Sequence, residues 1–259
     1  MQEIFTAIAE MDLMTKPKPY GAFHLTFTVL GFLLCVCLAY FLRKIKNRGN
    51  DYLLFGCGLF LALTEVYKQL FYYYCMGGDV GYEWWIFPFQ LCILPMYLCL
   101  IVPFVKKERI KRTVYTFLAT YNLLGGFISF FEPSGLIHEH LTLTLHAFIW
   151  HMMLVFIGFY MIASRRAGRK LGDFRDCAIL FIIACVIAFV INLVLRDISG
   201  GSVNMFYVGP TISPIIVFKT IAQSFGWYIN TPIYMIALSL GAFIFFLPFF
   251  IYERKANKI

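Results

Sequence analysis

Seven stretches of the 259-residue chain are each long and apolar enough to cross a bilayer: 22–42, 52–74, 84–105, 113–131, 141–163, 177–195 and 226–251. A helix needs about 20 such residues to span the hydrocarbon. Within lipid, every backbone amide and carbonyl must find its partner inside the protein, which leaves helices or a closed barrel. The stretches show no alternation of polar and apolar residues, so outer-membrane strands do not fit. Composition agrees, because 61% of residues are hydrophobic and only 14% charged, against roughly 45–50% and 25% in soluble domains. Cytosolic enzymes, secreted disulfide scaffolds and disordered tails are thereby excluded. The expected fold is all-α, a single polytopic membrane domain over 1–259 with seven transmembrane helices.

Charge sets the expected orientation. Seventeen of the 22 basic residues fall in alternate connections and the tail: Arg43, Lys44, Lys46 and Arg48; Lys106, Lys107, Arg109, Lys111 and Arg112; Arg165, Arg166, Arg169, Lys170 and Arg175; and Arg254, Lys255 and Lys258. The intervening connections carry acidic residues such as Glu3, Glu10, Asp12, Asp79, Glu83, Glu132, Glu139 and Asp197. The positive-inside bias then places the N-terminus outside and the C-terminus inside, with Lys16 and Lys18 outweighed by the cations after the first stretch. The net charge of +8 is accordingly loop charge and not a nucleic-acid footprint. Acidic residues before the first stretch, and no small-x-small site after it, argue against a cleaved signal peptide. Phenylalanine-rich, lysine-bearing composition points to an AT-rich bacterium and to its plasma membrane.

Polar side chains within apolar stretches are costly and therefore candidates for function. Glu65, Lys68, Cys92, Asn122 with its neighbour Tyr121, and His151 stand on four stretches, each about seven to ten residues from the outer end. At 1.5 Å per residue they share a layer roughly 10–15 Å deep. Each has a plainer alternative. Glu65 and Lys68, three apart on one helical face, could only neutralise each other, and Asn122 could be interhelical glue. Pro88 and Pro95 bracket Cys92, and each removes a backbone donor. Freed backbone groups at membrane depth belong beside a cavity or packed protein. His140, Thr144, Ala147 and His151 follow one helical seam, whereas His146 points about 140° away from His151. His138-Glu139-His140 lacks the His-Glu-x-x-His zinc spacing, and none of the eight cysteines forms a Cys-x-x-Cys pair, so no metal or other cofactor is expected.

The segments Pro88-Phe89-Gln90-Leu91-Cys92, Phe148-Ile149-Trp150-His151 and Asn204-Met205-Phe206-Tyr207, followed by Trp227-Tyr228, together with Glu65 and His24, resemble the YwaF-like family of integral membrane proteins. That family extends to a eukaryotic member that remodels ether phospholipids by acyl transfer. The resemblance implies Cys92 as the acyl-accepting nucleophile and His151 as its base. It departs at Gln90, where His is frequent, and at Met152, where a small residue is frequent. With Glu65 orienting the imidazole, the expected activity moves an acyl chain from a membrane phospholipid to a lysolipid or lipoprotein acceptor through a cysteine thioester. Lys68, Gln90, Asn122, Tyr121, His146 and His24 would support the site.

Three other classes remain open. A proton-coupled transporter or channel would use the Glu/Lys/His layer, although no internal repeat is visible. A retinal pigment would need a bundle lysine, and the seventh stretch has none. A structural partner would use the polar layer for packing alone. The connection 197–225 is long for a compact bundle, and 215–223 within it could form a short interfacial helix; the loop is either a lid or binding element or an amphipathic cap on the membrane surface.

Overall fold

The computed structural model describes residues 2–76, 82–213 and 215–256. Asp79, Pro214 and Lys258, and the side chains of Glu253, Arg254 and Lys255, lie outside what is described. The described chain is all-helical: α1 (Gln2–Asp12), α2 (Ala22–Leu42), α3 (Asn47–Phe71), α4 (Leu94–Ile101), α5 (Glu108–Phe117), α6 (Leu123–Phe131), α7 (Leu141–Ala163), α8 (Leu171–Val194), α9 (Ile216–Phe225) and α10 (Trp227–Ala256). A π-helical turn, Tyr72–Met76, extends α3, and another, Leu118–Asn122, joins α5 to α6 in one rod. Six of the resulting helices are long and apolar enough to cross a membrane, which makes this a multi-pass membrane protein.

The stretch 84–105 is not a seventh continuous helix. It breaks into a 3-10 turn at Trp84–Ile86, irregular chain over 87–93, the eight-residue α4 and a 3-10 turn at Val102–Phe104. Pro88 cannot donate, and Pro95 stands where only a first helical turn accepts it. The ladder therefore starts after Ile93.

The α5–α6 rod and α7 form the centre. In Glu108–Phe131 72% of the most apolar window is buried within the protein, against 11% in Ala22–Leu42, which marks the lipid-facing rim. Helix α7 packs on α2, α3, α6 and the Leu118–Asn122 turn, while α3 packs on α4 and α5 on α8. Close approach at the centre depends on small residues. A Cβ at Gly158 would sit 2.7 Å from Leu123 Cβ, and one at Gly126 would sit 3.0 Å from Leu154 Cβ. Gly158→Ala is expected to destabilise the bundle by about 1–3 kcal/mol, because backbone and Cβ atoms cannot swing aside. Unfolding in detergent should show this, and a wild-type transition would refute the close-packed crossing.

One end of the bundle is laced by charge: Lys111 to Asp51 at 2.6 Å, Arg112 to Asp173 at 2.9 Å, Arg109 to Asp176 at 2.7 Å, and Arg166 to the Ile45 carbonyl at 2.8 Å. The basic clusters of 43–48, 106–112 and 165–175 thus share one end. At the opposite end α1, which apolar stretches do not reveal, docks on α7. Asp12 accepts hydrogen bonds from the Thr142 amide (2.8 Å) and hydroxyl (2.6 Å), which satisfies a first-turn donor of α7. Phe5 stacks on Tyr74 at 5.5 Å.

The connection after α8 turns inward instead of lying over the surface. Val203, Met205, Phe206 and Val208 are all buried. The helix expected at 215–223 is α9, Ile216–Phe225. Gly226, at φ +85°, makes the corner into α10, and a side chain there would meet the Tyr228 ring.

Candidate functional site

The site begins on α3. Glu65 is buried, and its Oε2 lies 2.8 Å from Lys68 Nζ, whose side chain keeps 17% of its exposure. Gln69, one turn on from Glu65, donates to Glu65 Oε1 (2.7 Å) and to the Ile86 carbonyl (2.8 Å), and accepts from the Tyr82 hydroxyl (2.7 Å). Gln69 therefore ties the ion pair to the turn that leads into the Cys92 segment. Its spacing of four from Glu65 marks it as a face-mate, but an amide among apolar residues draws less notice than a charge.

Around Cys92 the broken helix leaves backbone groups to be satisfied one by one. Tyr97 donates to the Pro88 carbonyl at 2.7 Å, and the Ile93 and Leu94 amides donate to the Gln90 carbonyl. The amides of Gln90 and Leu91 donate to no group among the described residues, whereas the Cys92 amide faces its own sulfur. The first two form a short run of free donors just ahead of α4. The Gln90 side chain turns back to the Trp85 carbonyl (3.0 Å) and toward the Asn204 carbonyl (3.5 Å).

Helix α7 closes the other side. Trp150 Nε1 donates to the Cys92 carbonyl at 3.1 Å, so the turn that carries His151 is fastened to the cysteine. His151 Nδ1 lies 2.7 Å from the Ala147 carbonyl. A carbonyl only accepts, so Nδ1 carries the proton and Nε2 keeps its lone pair. Cys92 and His151 are enclosed by surrounding helices yet each retains some accessible surface. The Lys68 ammonium acts electrostatically on Cys92, His151 and His146 alike. His146 packs against Trp150, ring centroids 5.5 Å apart, and its buried Nε2 has no partner among the described residues.

Glu65, Lys68, Cys92, His146 and His151 thus converge, with Gln90 at the edge. Three expected members stand apart. Asn122 gives both amide hydrogens away, to the carbonyls of Leu118 and Leu154 at 2.9 Å each, joining the π-helical turn to α7. Tyr121 bonds to Ser239 (2.9 Å) and stacks on Phe181. His24 accepts from the Tyr20 amide (3.1 Å) and packs edge-on to Phe148. Shared depth suggested Asn122 and Tyr121, and the family resemblance suggested His24; each instead bonds to groups away from the cysteine.

The family model of the TMEM164 family matches residues 19–251. The chain belongs to the TMEM164 family. No curated protein and no solved structure matches it. Every residue of the convergent cluster lies within the matched TMEM164 region, whereas α1 precedes it.

The inward loop of this TMEM164-family chain completes the surroundings of Cys92. Asn192 on α8 donates to the carbonyls of Met205 (3.0 Å) and Val208 (2.5 Å), and accepts from the Met205 amide (2.6 Å). Between them Phe206 and Tyr207 both hold φ near +55°, a conformation costing about 1–3 kcal/mol for each non-glycine residue. Phe206 stacks on Phe89 at 5.5 Å, three residues before Cys92. Tyr207 meets Tyr234 of α10 edge-on at 6.3 Å, and both phenols interact electrostatically with Cys92. The eight cysteines are free thiols. Among the described residues no three His, Cys, Asp or Glu side chains gather as metal ligands.

Proposed function

We propose that this protein is a membrane-embedded acyltransferase that moves a fatty acyl chain from a phospholipid to a lysolipid or a lipoprotein amino terminus through a thioester on Cys92. The observation that carries the reading is the Trp150 indole bonded to the Cys92 carbonyl, with His151 next in sequence and its Nε2 lone pair free. The YwaF-like resemblance, with its eukaryotic acyl-transferring member, supports the same chemistry by analogy.

The Cys92 thiol gives its proton to His151 Nε2 as sulfur attacks the ester carbonyl carbon. The carbonyl π pair moves onto oxygen, where the free amides of Gln90 and Leu91 are suited to receive it. Collapse breaks the bond to the glycerol oxygen, which takes the proton from His151 and leaves as a hydroxyl. The acceptor then reverses the sequence. Its hydroxyl or amine loses a proton to His151, attacks the thioester, and the thiol is restored. Lys68 offsets negative charge developing on sulfur and oxygen, and Glu65 with Gln69 holds Lys68 in place.

In the bilayer this reading sets the basic end inside, the N-terminus outside, and 84–105 as an interrupted seventh crossing of the plasma membrane. The test is intact-protein mass spectrometry after incubation with phospholipid vesicles. One added acyl mass, removed by neutral hydroxylamine, is expected. A protein whose mass never changes would overturn the proposal. His151→Gln should slow formation of that adduct about 10²–10⁴-fold, the usual worth of a general base.

The buried Glu65–Lys68 pair also suits a second reading, proton-coupled transport. Flux through liposomes that responds to Glu65→Gln and ignores Cys92→Ala would favour it.

A further inference from the structure

We propose that Tyr207 is a further catalytic residue, whose phenol donates a hydrogen bond to the carbonyl oxygen of the acyl group reacting at Cys92. The inference rests on the acyl-transfer reading and adds a group the reading does not use. It starts from hydrogen-bond accounting. The phenols of Tyr67, Tyr82, Tyr97, Tyr115 and Tyr121 in the interior are each paired, to Thr142, Gln69, the Pro88 carbonyl, Asp51 and Ser239. Of the remaining interior phenols, those of Tyr207 and Tyr234 are the two that interact electrostatically with Cys92. The Tyr207 hydroxyl is not among the buried unpaired atoms and Tyr207 is half-buried, so its proton is available to an acceptor that a ligand brings to the cysteine.

Three features hold the turn that carries Tyr207 against the Cys92 segment. Its backbone is held in a left-handed turn that the Asn192 side chain clamps from both ends. The stack of Phe206 on Phe89 and the reach of Gln90 to the Asn204 carbonyl fasten that turn onto the Cys92 segment from two sides. The Tyr234 ring, itself edge-on to Phe218 at 5.0 Å, limits rotation of the Tyr207 ring. Strained conformations of this kind persist where surrounding structure enforces them and gather at reactive sites. Of the two phenols, Tyr207 retains accessible surface and Tyr234 is closed in, so Tyr207 is the one that meets substrate.

The chemistry fits a donor. Burial pushes the Tyr207 phenol up to about 12, so it keeps its proton at neutral pH. When sulfur adds to the carbonyl carbon and the π pair moves to oxygen, the hydroxyl strengthens its bond to that oxygen without transferring the proton. It stands with the backbone amides of Gln90 and Leu91 as a third donor to the oxyanion.

The test compares wild type, Tyr207→Phe and Tyr234→Phe, which keep both rings and remove one hydroxyl each. Acyl-adduct formation from phospholipid is followed by mass spectrometry. The infrared stretch of an isotope-labelled acyl carbonyl on Cys92 is read as a difference against Cys92→Ala. Tyr207→Phe should slow adduct formation about 100-fold and raise the carbonyl frequency, with an unchanged unfolding transition; Tyr234→Phe should leave the frequency at its wild-type value. A wild-type rate or an unmoved frequency in Tyr207→Phe overturns the inference and leaves the cysteine reading standing. If wild type takes no acyl group from phospholipid, the acyl-transfer reading fails. The frequency comparison on protein acylated by an activated ester then decides Tyr207 by itself.

Discussion

Replacing Cys92 with alanine is expected to abolish the hydroxylamine-sensitive acyl mass while leaving the protein folded. The two effects separate because the side chain and backbone of Cys92 serve different ends. The carbonyl that receives the Trp150 indole belongs to the backbone and survives the substitution. Only one sulfur atom is lost, from a half-buried side chain, so its removal should cost no more than about 1 kcal/mol. Cys92→Ser sharpens the result, since an oxygen ester resists neutral hydroxylamine whereas a thioester does not. Two other cysteines serve as controls. Cys99, on α4, is fully buried, and Cys99→Ala should retain the adduct. Cys37 is exposed on the lipid-facing α2 and could accept an acyl chain without catalysis. An adduct that survives Cys92→Ala and disappears with Cys37→Ala would reduce the modification to surface acylation.

The second large effect is on stability. Glu65→Ala removes the carboxylate beside Lys68 and one acceptor of Gln69. Breaking one side of a buried pair leaves an uncompensated charge, at a cost of about 3–5 kcal/mol. Replacing both partners, Glu65→Leu with Lys68→Met, removes the charge as well as its counter-ion and should recover most of that loss. The double variant should still acylate Cys92 slowly, because the cation beside the thiol is gone. Unfolding in detergent gives the first quantity and adduct formation the second. Equal stability of Glu65→Ala and wild type would show that Lys68 finds water or lipid phosphate once alone.

The helical class and six of the crossings are legible in apolar length alone, because lipid leaves the backbone few alternatives. The break at 87–93 is visible as Pro88 and Pro95, yet a proline can kink a helix or end it, and the choice depends on what Tyr97 and Trp150 offer the freed carbonyls. Depth counted along each helix picks out Glu65, Lys68, Cys92 and His151 together. It picks out Asn122 and Tyr121 equally, because depth says nothing about rotation about the helix axis. Tyr207 lies in a connection with no helical period, and its place beside Cys92 is set by Asn192, which lies fifteen residues earlier and on another element. Helix α1 escapes notice because its apolar residues cover only part of its surface and find their partners on Tyr67 and Tyr74.

The short ordered piece of the interrupted segment has a consequence for the surrounding helices. Leu94–Phe104 rises about 16 Å as a helix, roughly half of a hydrocarbon core of about 30 Å. Over the remainder, free amides stand where hydrocarbon would leave them unsolvated. The segment is tolerated because protein covers it: Ile93, Leu94, Met96, Leu98, Cys99 and Val102 are all buried, and irregular backbone at membrane depth needs such cover or a polar cavity. The neighbouring helices therefore do for the broken segment what an unbroken helix does for itself, and a substitution that loosens them should expose amides as well as side chains.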